Sequence, residues 1–271
     1  LVQNGNFSEI GSDLVTNGDF SAEGINLVSN PNFTDTGTEE VTDGNFSNGL
    51  DDWSQNGNFT STANQLICNV TDAGLLIYQT PITPYVVGKT YLYTFDIISI
   101  STGNVRARIG NTLSDAFTTT GSKSAYLVHS GVTPTYFVNY SSDAVIDNIS
   151  VKELGADWTL GTGWSIGEDK AICDGSTNNA ISQALSLPVG NLKVTFRVED
   201  FTSGDLNLWL NLPAFTNPLL VDANGDYEVY VTTTSGANNI YFYSVAFIGS
   251  ITNISVQELG EGWTVDSGWS I

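Results

Sequence analysis

The chain has 271 residues, of which 41% are hydrophobic and 11% are aromatic. This is enough apolar side chain for about two packed domains, and it excludes a wholly disordered chain. The formal net charge of −21, from 8 Lys and Arg against 29 Asp and Glu, opposes binding to nucleic acid and to anionic membranes, so neither is an expected partner. No apolar run reaches the ~20 residues that cross a bilayer, so we expect no membrane insertion.

Four copies of a short motif open the chain. Each copy has a Val, an Asn- or Asp-containing turn, a Phe and a Ser or Thr, and successive copies are 13 residues apart. The repeated aromatic residues are Phe7, Phe20, Phe33 and Phe46. One such unit predicts a short strand, a turn and an aromatic anchor that it cannot bury alone. We expect residues 1–42 to form a shaft or anchor whose units stack on each other or on other chains. The alternative is a series of linkers left by duplication of a domain's first strand.

A longer repeat of 105 residues follows the short units. Its matched pairs are Trp53 with Trp158, Cys68 with Cys173, and residues 147–155 with 252–260. Trp263 and Trp269 match Trp158 and Trp164 at the same step. A repeat that matches at both ends predicts two complete domains, 43–154 and 155–260, and residues 261–271 as the start of a third, truncated repeat. Since both ends fall inside repeats, we expect the chain to be a segment of a longer one.

Within each long repeat, apolar and polar residues alternate over short runs. Leu206, Leu208 and Leu210 alternate with Asn207 and Trp209, for example. Period-two alternation with one wet face is typical of antiparallel strands, and several such runs in about 105 residues predict a sandwich or jelly roll. The predicted fold is therefore all-β, with tandem antiparallel β-sandwich or jelly-roll domains preceded by the short 13-residue β repeats.

The opening and closing segments resemble a known family. Residues 41–53, which run from Val-Thr-Asp-Gly-Asn-Phe-Ser to Trp53, look like the start of carbohydrate-binding-module jelly rolls of the galactose-binding-like type. Residues 145–151 and 251–256 are similar to the last strand of that family. The short Asn-rich motif also looks like modules in structural proteins of bacteriophages, such as fibres and capsid or tail decorations. The resemblance covers about residues 41–260, and in the second domain Leu-Gly-Ala-Asp-Trp (154–158) stands where the opening motif is expected.

The resemblance implies a structural calcium ion near the first and last strands, with Asp147 as a ligand in the first domain. Thr252 at the matching place in the second domain supplies no carboxylate. No other cofactor is expected. The alternative is that Asp147 serves only ordinary turn chemistry.

One strand carries the residue types that bind sugars. In Asn207-Leu208-Trp209-Leu210-Asn211 the outward positions are Asn207, Trp209 and Asn211, so an indole for stacking lies between two amides for hydrogen bonding. Arg106 and Arg108 take the corresponding face in the first domain and can also hold sugars or acidic groups. The alternative is that this face packs against a neighbouring subunit.

Residues that would support catalysis are scarce. His129 is the single histidine, and the carboxylate pairs Asp51/Asp52 and Glu199/Asp200 do not recur in the other repeat. Cys68 and Cys173 lie in apolar strands, which predicts small buried thiols rather than a disulfide. We therefore expect no enzyme.

Three functions follow as hypotheses. The first is a structural or display protein of an extracellular assembly, most simply a phage virion fibre or decoration protein, with other virion or surface proteins as partners. We expect it to be a homo-oligomer, and the resemblance to fibres suggests a trimer. The second is a glycan-binding adhesin module that recognises cell-surface polysaccharide. The third is a binding module appended to a hydrolase outside these residues. All three imply an extracellular or virion-surface location.

Overall fold

The computed structural model describes residues 22–69, 73–131, 135–210, 221–233 and 237–260. All regular secondary structure within these ranges is β-strand, which confirms the predicted all-β fold of tandem antiparallel sandwich domains. None of these residues lies in a helix that is long and apolar enough to span a bilayer.

The strands form two sandwiches, which we call module 1 (strands within residues 36–154) and module 2 (strands within residues 159–258). Module 1 contains nine strands among the described residues. They are β1 (Thr36–Glu39), β2 (Ser54–Gln55), β3 (Thr60–Thr62), β4 (Gln65–Asn69), β5 (Ala73–Gln79), β6 (Thr90–Ile109), β7 (Thr112–Leu113), β8 (Gly121–Val128) and β9 (Thr135–Leu154). Strand β9 pairs with β1, β4, β5 and β6, and β6 also pairs with β7 and β8. The two longest strands thus organise the whole module.

Module 2 repeats this arrangement with seven strands among its described residues. They are β10 (Thr159–Leu160), β11 (Trp164–Gly167), β12 (Lys170–Asp174), β13 (Asn179–Leu187), β14 (Gly190–Leu210), β15 (Gly225–Thr233) and β16 (Ala237–Glu258). The long pair β14 and β16 corresponds to β6 and β9.

The long strands bend so that both of their halves cover one core. Register shifts interrupt the β6–β9 pairing between Thr94 and Asn104, and the β14–β16 pairing shifts between Glu199 and Ser203. Such bulges bend and twist a strand pair. On either side of the bend, Tyr93 and Ala107 both lie in the core of module 1. Each module is therefore a sandwich built largely by folding one strand pair over itself.

The short N-terminal units are divided between the two cores. Phe46 is fully buried in module 1, where its ring lies 5.4 Å from that of Trp53. Phe33 is equally buried in module 2, 5.1 Å from the ring of Trp158. The expectation that these two anchors need stacked units or other chains for burial is wrong, because each fills the core of a module of its own chain. Phe7 and Phe20 lie outside the described residues.

Equivalent hydrogen bonds attach the unit of Phe46 to module 1 and the unit of Phe33 to module 2. Trp53 Nε1 donates to the carbonyl of Asp43 over 3.3 Å, and Trp158 Nε1 donates to that of Asn30 over 3.2 Å. The side-chain amide of Gln79 forms two hydrogen bonds with the backbone of Thr42. That of Gln183 does the same with Ser29. The contacting residues of the unit of Phe33 lie 13 residues before those of the unit of Phe46, and their partners in module 2 lie about 105 residues after those in module 1. Residues 28–34 therefore supply module 2 with the opening segment that is missing at 154–158.

This division differs from the expected domain boundaries at 43 and 155. Residues 28–34 belong to module 2, and Val41 already lies in the core of module 1. For the units of Phe33 and Phe46, the structure favours the alternative in which the units arose by duplication of a domain's first strand, although these two units are core segments rather than linkers.

The modules are in direct contact. Ile166 N donates to Thr90 Oγ1 over 3.0 Å in a buried hydrogen bond, and Leu92 packs against the core of module 2. Lys89 Nζ donates to the carbonyl of Trp158 over 2.7 Å and pairs with Glu153 at 3.0 Å. Apolar packing and two hydrogen bonds, one of them buried, thus join the first module to the second, and the ion pair with Glu153 within module 1 holds Lys89 in place.

Candidate functional site

The strand predicted to bind sugar is the second half of β14. Leu206, Leu208 and Leu210 are buried there, and Asn207 and Trp209 alternate with them as partly exposed residues. Asn211, the third predicted residue, lies outside the described residues. The side-chain alternation expected for this strand is therefore present over Leu206 to Leu210.

Strand β16 lies between β14 and β13 and adds two tyrosines to this surface. Asn207 pairs with Tyr243 and Trp209 with Tyr241 across one side of β16. Ala180 pairs with Tyr243 and Ser182 with Tyr241 across the other side. Residues directly opposite on adjacent strands share a face of the sheet. We call the resulting surface the aromatic face; it consists of Ala180, Ser182, Asn207, Trp209, Tyr241 and Tyr243.

Two rings at the centre of the aromatic face are held in fixed positions. Trp209 and Tyr243 stack with their centroids 4.2 Å apart and their planes at 19°. Tyr243 Oη donates to Asn178 Oδ1 over 2.7 Å. A stacked and hydrogen-bonded ring loses little rotamer freedom when a ligand packs beside it, so the face is pre-organised.

Module 1 has different chemistry at the equivalent place. The pairing register puts Arg106 at the position of Asn207 and Arg108 at that of Trp209. Arg106 Nε contacts Asn104 Oδ1 at 3.4 Å, and Arg108 Nε donates to the carbonyl of Gly110 over 2.7 Å. The corresponding face predicted from the sequence is therefore present, but it carries guanidinium groups where module 2 carries an indole and an amide.

Sequence reasoning missed Tyr241 and Tyr243. The signal available was their alternation with Ile240 and Phe242, which are buried. That alternation places the tyrosines on an outer face, but only the register with β14 shows that they adjoin Trp209.

A shallow cleft recurs beside the closing strand of each module. In module 1 it has a volume of about 340 Å³ and is lined by residues that include Asp96, Ser122 and Asn148. In module 2 it has about 390 Å³ and includes Asp226 and Asn253. Asn148 and Asn253 both have a left-handed backbone, with φ of 54° and 53°. Both clefts thus lie beside an irregularity of the long strand pair, between Thr94 and Asp96 in module 1 and between Thr195 and Arg197 in module 2.

The predicted calcium ligand lies close to this cleft. Asp147 is opposite Asp96 in the strand pairing, and its Oδ1 accepts from Asn148 N over 2.7 Å. Asp96 accepts from Asn148 Nδ2 over 2.8 Å and from Ser122, and these hydrogen bonds lower the pKa of Asp96. No group of three or more His, Cys, Asp or Glu side chains suited to a metal occurs in the described part of the chain. Calcium takes six to eight oxygens from carboxylates, amides, backbone carbonyls and water, and Asp96 and Asp147 supply two carboxylates here, so the calcium ion stays a prediction.

The carboxylate pair Glu199 and Asp200, at the bend in the middle of β14, is engaged in ion pairs. Lys170 Nζ lies 2.8 Å from Asp200 Oδ2 and 3.5 Å from Glu199 Oε2. Hydrogen bonds from Lys170 and then from Ser250 lower the pKa of Asp200. A glycosidase needs a carboxylic acid whose pKa is raised, so Asp200 has the opposite property.

The remaining candidate residues are buried. Cys68 and Cys173 are free buried thiols, which confirms the prediction from the sequence. Burial, with a smaller contribution from Asp143, raises the pKa of Cys68 to about 12. His129 is 3% exposed and lies edge-on to Tyr85, at 5.6 Å between ring centroids.

Comparison with known proteins assigns no family to the chain. No protein-family model matches the chain, and no curated protein matches it. Among solved structures it is similar to the N-terminal CBM22-1–CBM22-2 tandem domain from Paenibacillus barcinonensis Xyn10C. The identity is 8% and the TM-score 0.31, over 83% of this chain and 97% of that one.

Proposed function

We propose that the chain is a non-catalytic glycan-binding protein whose binding site is the aromatic face of module 2. The observation that carries the proposal is the stacked pair of Trp209 and Tyr243, partly exposed, with Asn207 beside it. An aromatic ring presents an apolar surface to the C–H face of a sugar, and an amide satisfies its hydroxyls.

The neighbouring residues give the face room for a ligand. Ala180 and Ser182 are small, so the strand beside Tyr241 and Tyr243 rises less above the sheet than the tyrosines do. The Ser182 hydroxyl and the phenol groups add hydrogen-bonding capacity. The net charge of −21 favours neutral or cationic glycans over acidic ones.

The absence of catalysis is part of the proposal. Glu199 and Asp200 are both paired with Lys170, and Arg197 Nε also contacts Glu199 at 3.0 Å. Groups held in this way as charged partners are poorly suited to donate a proton to a leaving group.

Tryptophan fluorescence of the full chain tests the proposal directly. Among the tryptophans that the structure describes, Trp53, Trp158 and Trp164 are 6%, 1% and 3% exposed, whereas Trp209 is partly exposed. Titration with neutral polysaccharides should therefore change the emission of Trp209, and Trp209→Phe should abolish that change while retaining a ring for binding. Trp209→Ala should lower retention on a glycan array by about tenfold or more, in line with ~1.4 kcal/mol per tenfold.

Tyr230→Ala is a matched control, because Tyr230 is a 63% exposed aromatic residue of the same module on a different strand. It should leave glycan retention unchanged. Absence of binding by the unmodified chain across a broad neutral glycan panel would exclude the proposed function.

A structural or display role in an extracellular assembly is the second candidate. It is favoured by the interlocking of the modules, in which a unit that precedes module 1 in the chain completes the core of module 2 and the modules share a buried hydrogen bond. Such a chain suits a spacer on a virion surface, as a fibre or decoration protein. Native mass spectrometry and cryo-EM of the source particle test it: many symmetric copies support this role, and trimeric stoichiometry supports the expected oligomer. A free monomer excludes it.

A further inference from the structure

The segment between the units of Phe33 and Phe46 runs beside the segment that leads from module 1 to module 2. Strand β1 pairs with the end of β9, with Thr36 opposite Leu154, and Glu40 N donates to the carbonyl of Val151 over 2.9 Å. Beyond this pairing the two segments lead to Phe33 and to Trp158, whose rings meet in module 2. The modules are thus joined by two antiparallel segments, one leading to a module and one bringing the unit that completes it.

An equivalent pairing joins residues 23–27 to the C-terminal end of β16 in module 2. Glu23 lies opposite Leu259 in a bridge, and Leu27 N donates to the carbonyl of Val256 over 2.9 Å. These contacts fall 13 residues before and 105 residues after their counterparts in the first connection. The two segments then lead toward Phe20 and Trp263, which both lie outside the described residues. The described strands therefore already run in the register that brings a Phe to a Trp.

The sequences beyond these strands match those of the completed module. Residues 260–271 share seven of twelve identities with residues 155–166 (Gly, Trp, Thr, Gly, Trp, Ser and Ile). Residues 15–21 have the Val, Asn and Phe of residues 28–34 at the same positions. The 271 residues thus contain four units but only two complete copies of the module.

We call the end of module 2 that carries Tyr230 its open end; it matches a surface of module 1 that contacts module 2. Tyr126 is opposite Leu92 in the strand pairing, and its side chain lies 3.6 Å from where a Cβ on Gly167 of module 2 would be. Tyr230, opposite Lys193, takes the same position in module 2. Tyr230 is 63% exposed against 42% for Tyr126.

We propose that the open end of module 2 docks a third module of the same kind, which begins at Trp263 and is completed by residues 15–21. Residues 2–8 complete a fourth module by the same step. The N-terminal units are then core segments in reverse order of the modules. The last unit, which is nearest module 1, completes module 1, and each earlier unit completes the next module along the chain.

The first experiment extends the full chain by replacing residues 261–271 with a copy of residues 156–260. Cys68 and Cys173 are changed to Ala, so that the copied cysteine alone reports opening of the third module by thiol labelling. Phe20→Ala should raise its labelling rate on the order of a hundredfold, because loss of a buried Phe costs about 3 kcal/mol or more. Phe7→Ala should leave the rate unchanged. An unchanged rate in Phe20→Ala, or equal effects of the two variants, would overturn the proposal, as would protection that depends on protein concentration.

A second experiment needs no third module. Deletion of residues 22–34 from the original chain brings residues 15–21 into the register of residues 28–34. Cys173 should stay protected from labelling in this deletion, and Phe20→Ala should then expose it. Replacement of residues 22–34 by thirteen Gly and Ser residues is the control and should expose Cys173. If the deletion labels as fast as this control, residues 15–21 cannot complete a module and the proposal is wrong.

Discussion

Phe33 packs on Trp158 with 5.1 Å between ring centroids, although the whole of module 1 lies between them in the chain. Phe46 and Trp53 form the equivalent pair within one short segment. The same core contact is therefore local in the first module and long-range in the second. Closing a longer loop costs more entropy, but only as the logarithm of its length.

Each anchor should stabilise only its own module. Phe33→Ala should lower the free energy of unfolding of module 2 by about 3–5 kcal/mol, because it removes a fully buried ring. Phe46→Ala should do the same to module 1. Hydrogen exchange resolved along the chain measures both effects. Equal destabilisation of both modules by either variant would show that the cores are not served separately.

The contact between modules should depend on one hydroxyl. Thr90 Oγ1 accepts the buried N–H of Ile166, and Thr90 is 1% exposed. Thr90→Val keeps the shape and removes the acceptor, so it should cost about 1–3 kcal/mol for the unsatisfied donor. Thr90→Ser retains the hydroxyl and should cost much less. Urea unfolding of the two variants, followed by hydrogen exchange at the start of module 2, makes the comparison.

The sequence predicted the all-β fold because alternation and two repeat lengths are local patterns. The sequence also identified two separate repeats, the short unit that contains Phe33 and the long module that begins near Trp158. It could not pair them, because the pairing depends on which strand ends lie together after folding. The same limit applies to Tyr243, since alternation shows that it faces outward but not that Asn207 is its cross-strand neighbour.

The thiol of Cys68 should be inert in the folded chain. Burial, followed by the nearby Asp143, raises the pKa of Cys68 to about 12 from 9.0. The folded state therefore binds the thiol proton more tightly than the unfolded state, so stability falls as the pH rises above 9.0 and continues to fall toward 12. Iodoacetamide at pH 8 should label Cys68 only on unfolding. Cys68→Ala should lessen the loss of stability in alkaline solution, and rapid labelling of the folded chain would contradict the burial of this thiol.

Acid should weaken module 2 through Asp200. Hydrogen bonds from Lys170 and Ser250 lower the pKa of Asp200 below 3.8, so the folded state binds this proton less tightly than the unfolded state. The stabilisation is fully present above pH 3.8 and is lost as the pH falls through the lower, folded pKa. Because Asp200 is 66% exposed in its side chain, salt should screen much of the effect. Melting temperatures between about pH 2 and 6, at low and high salt, test this. Asp200→Asn should flatten the acid dependence, and Lys170→Met should flatten it less because the hydrogen bond from Ser250 remains. An Asp200→Asn variant that keeps the full slope would assign the acid sensitivity to another group.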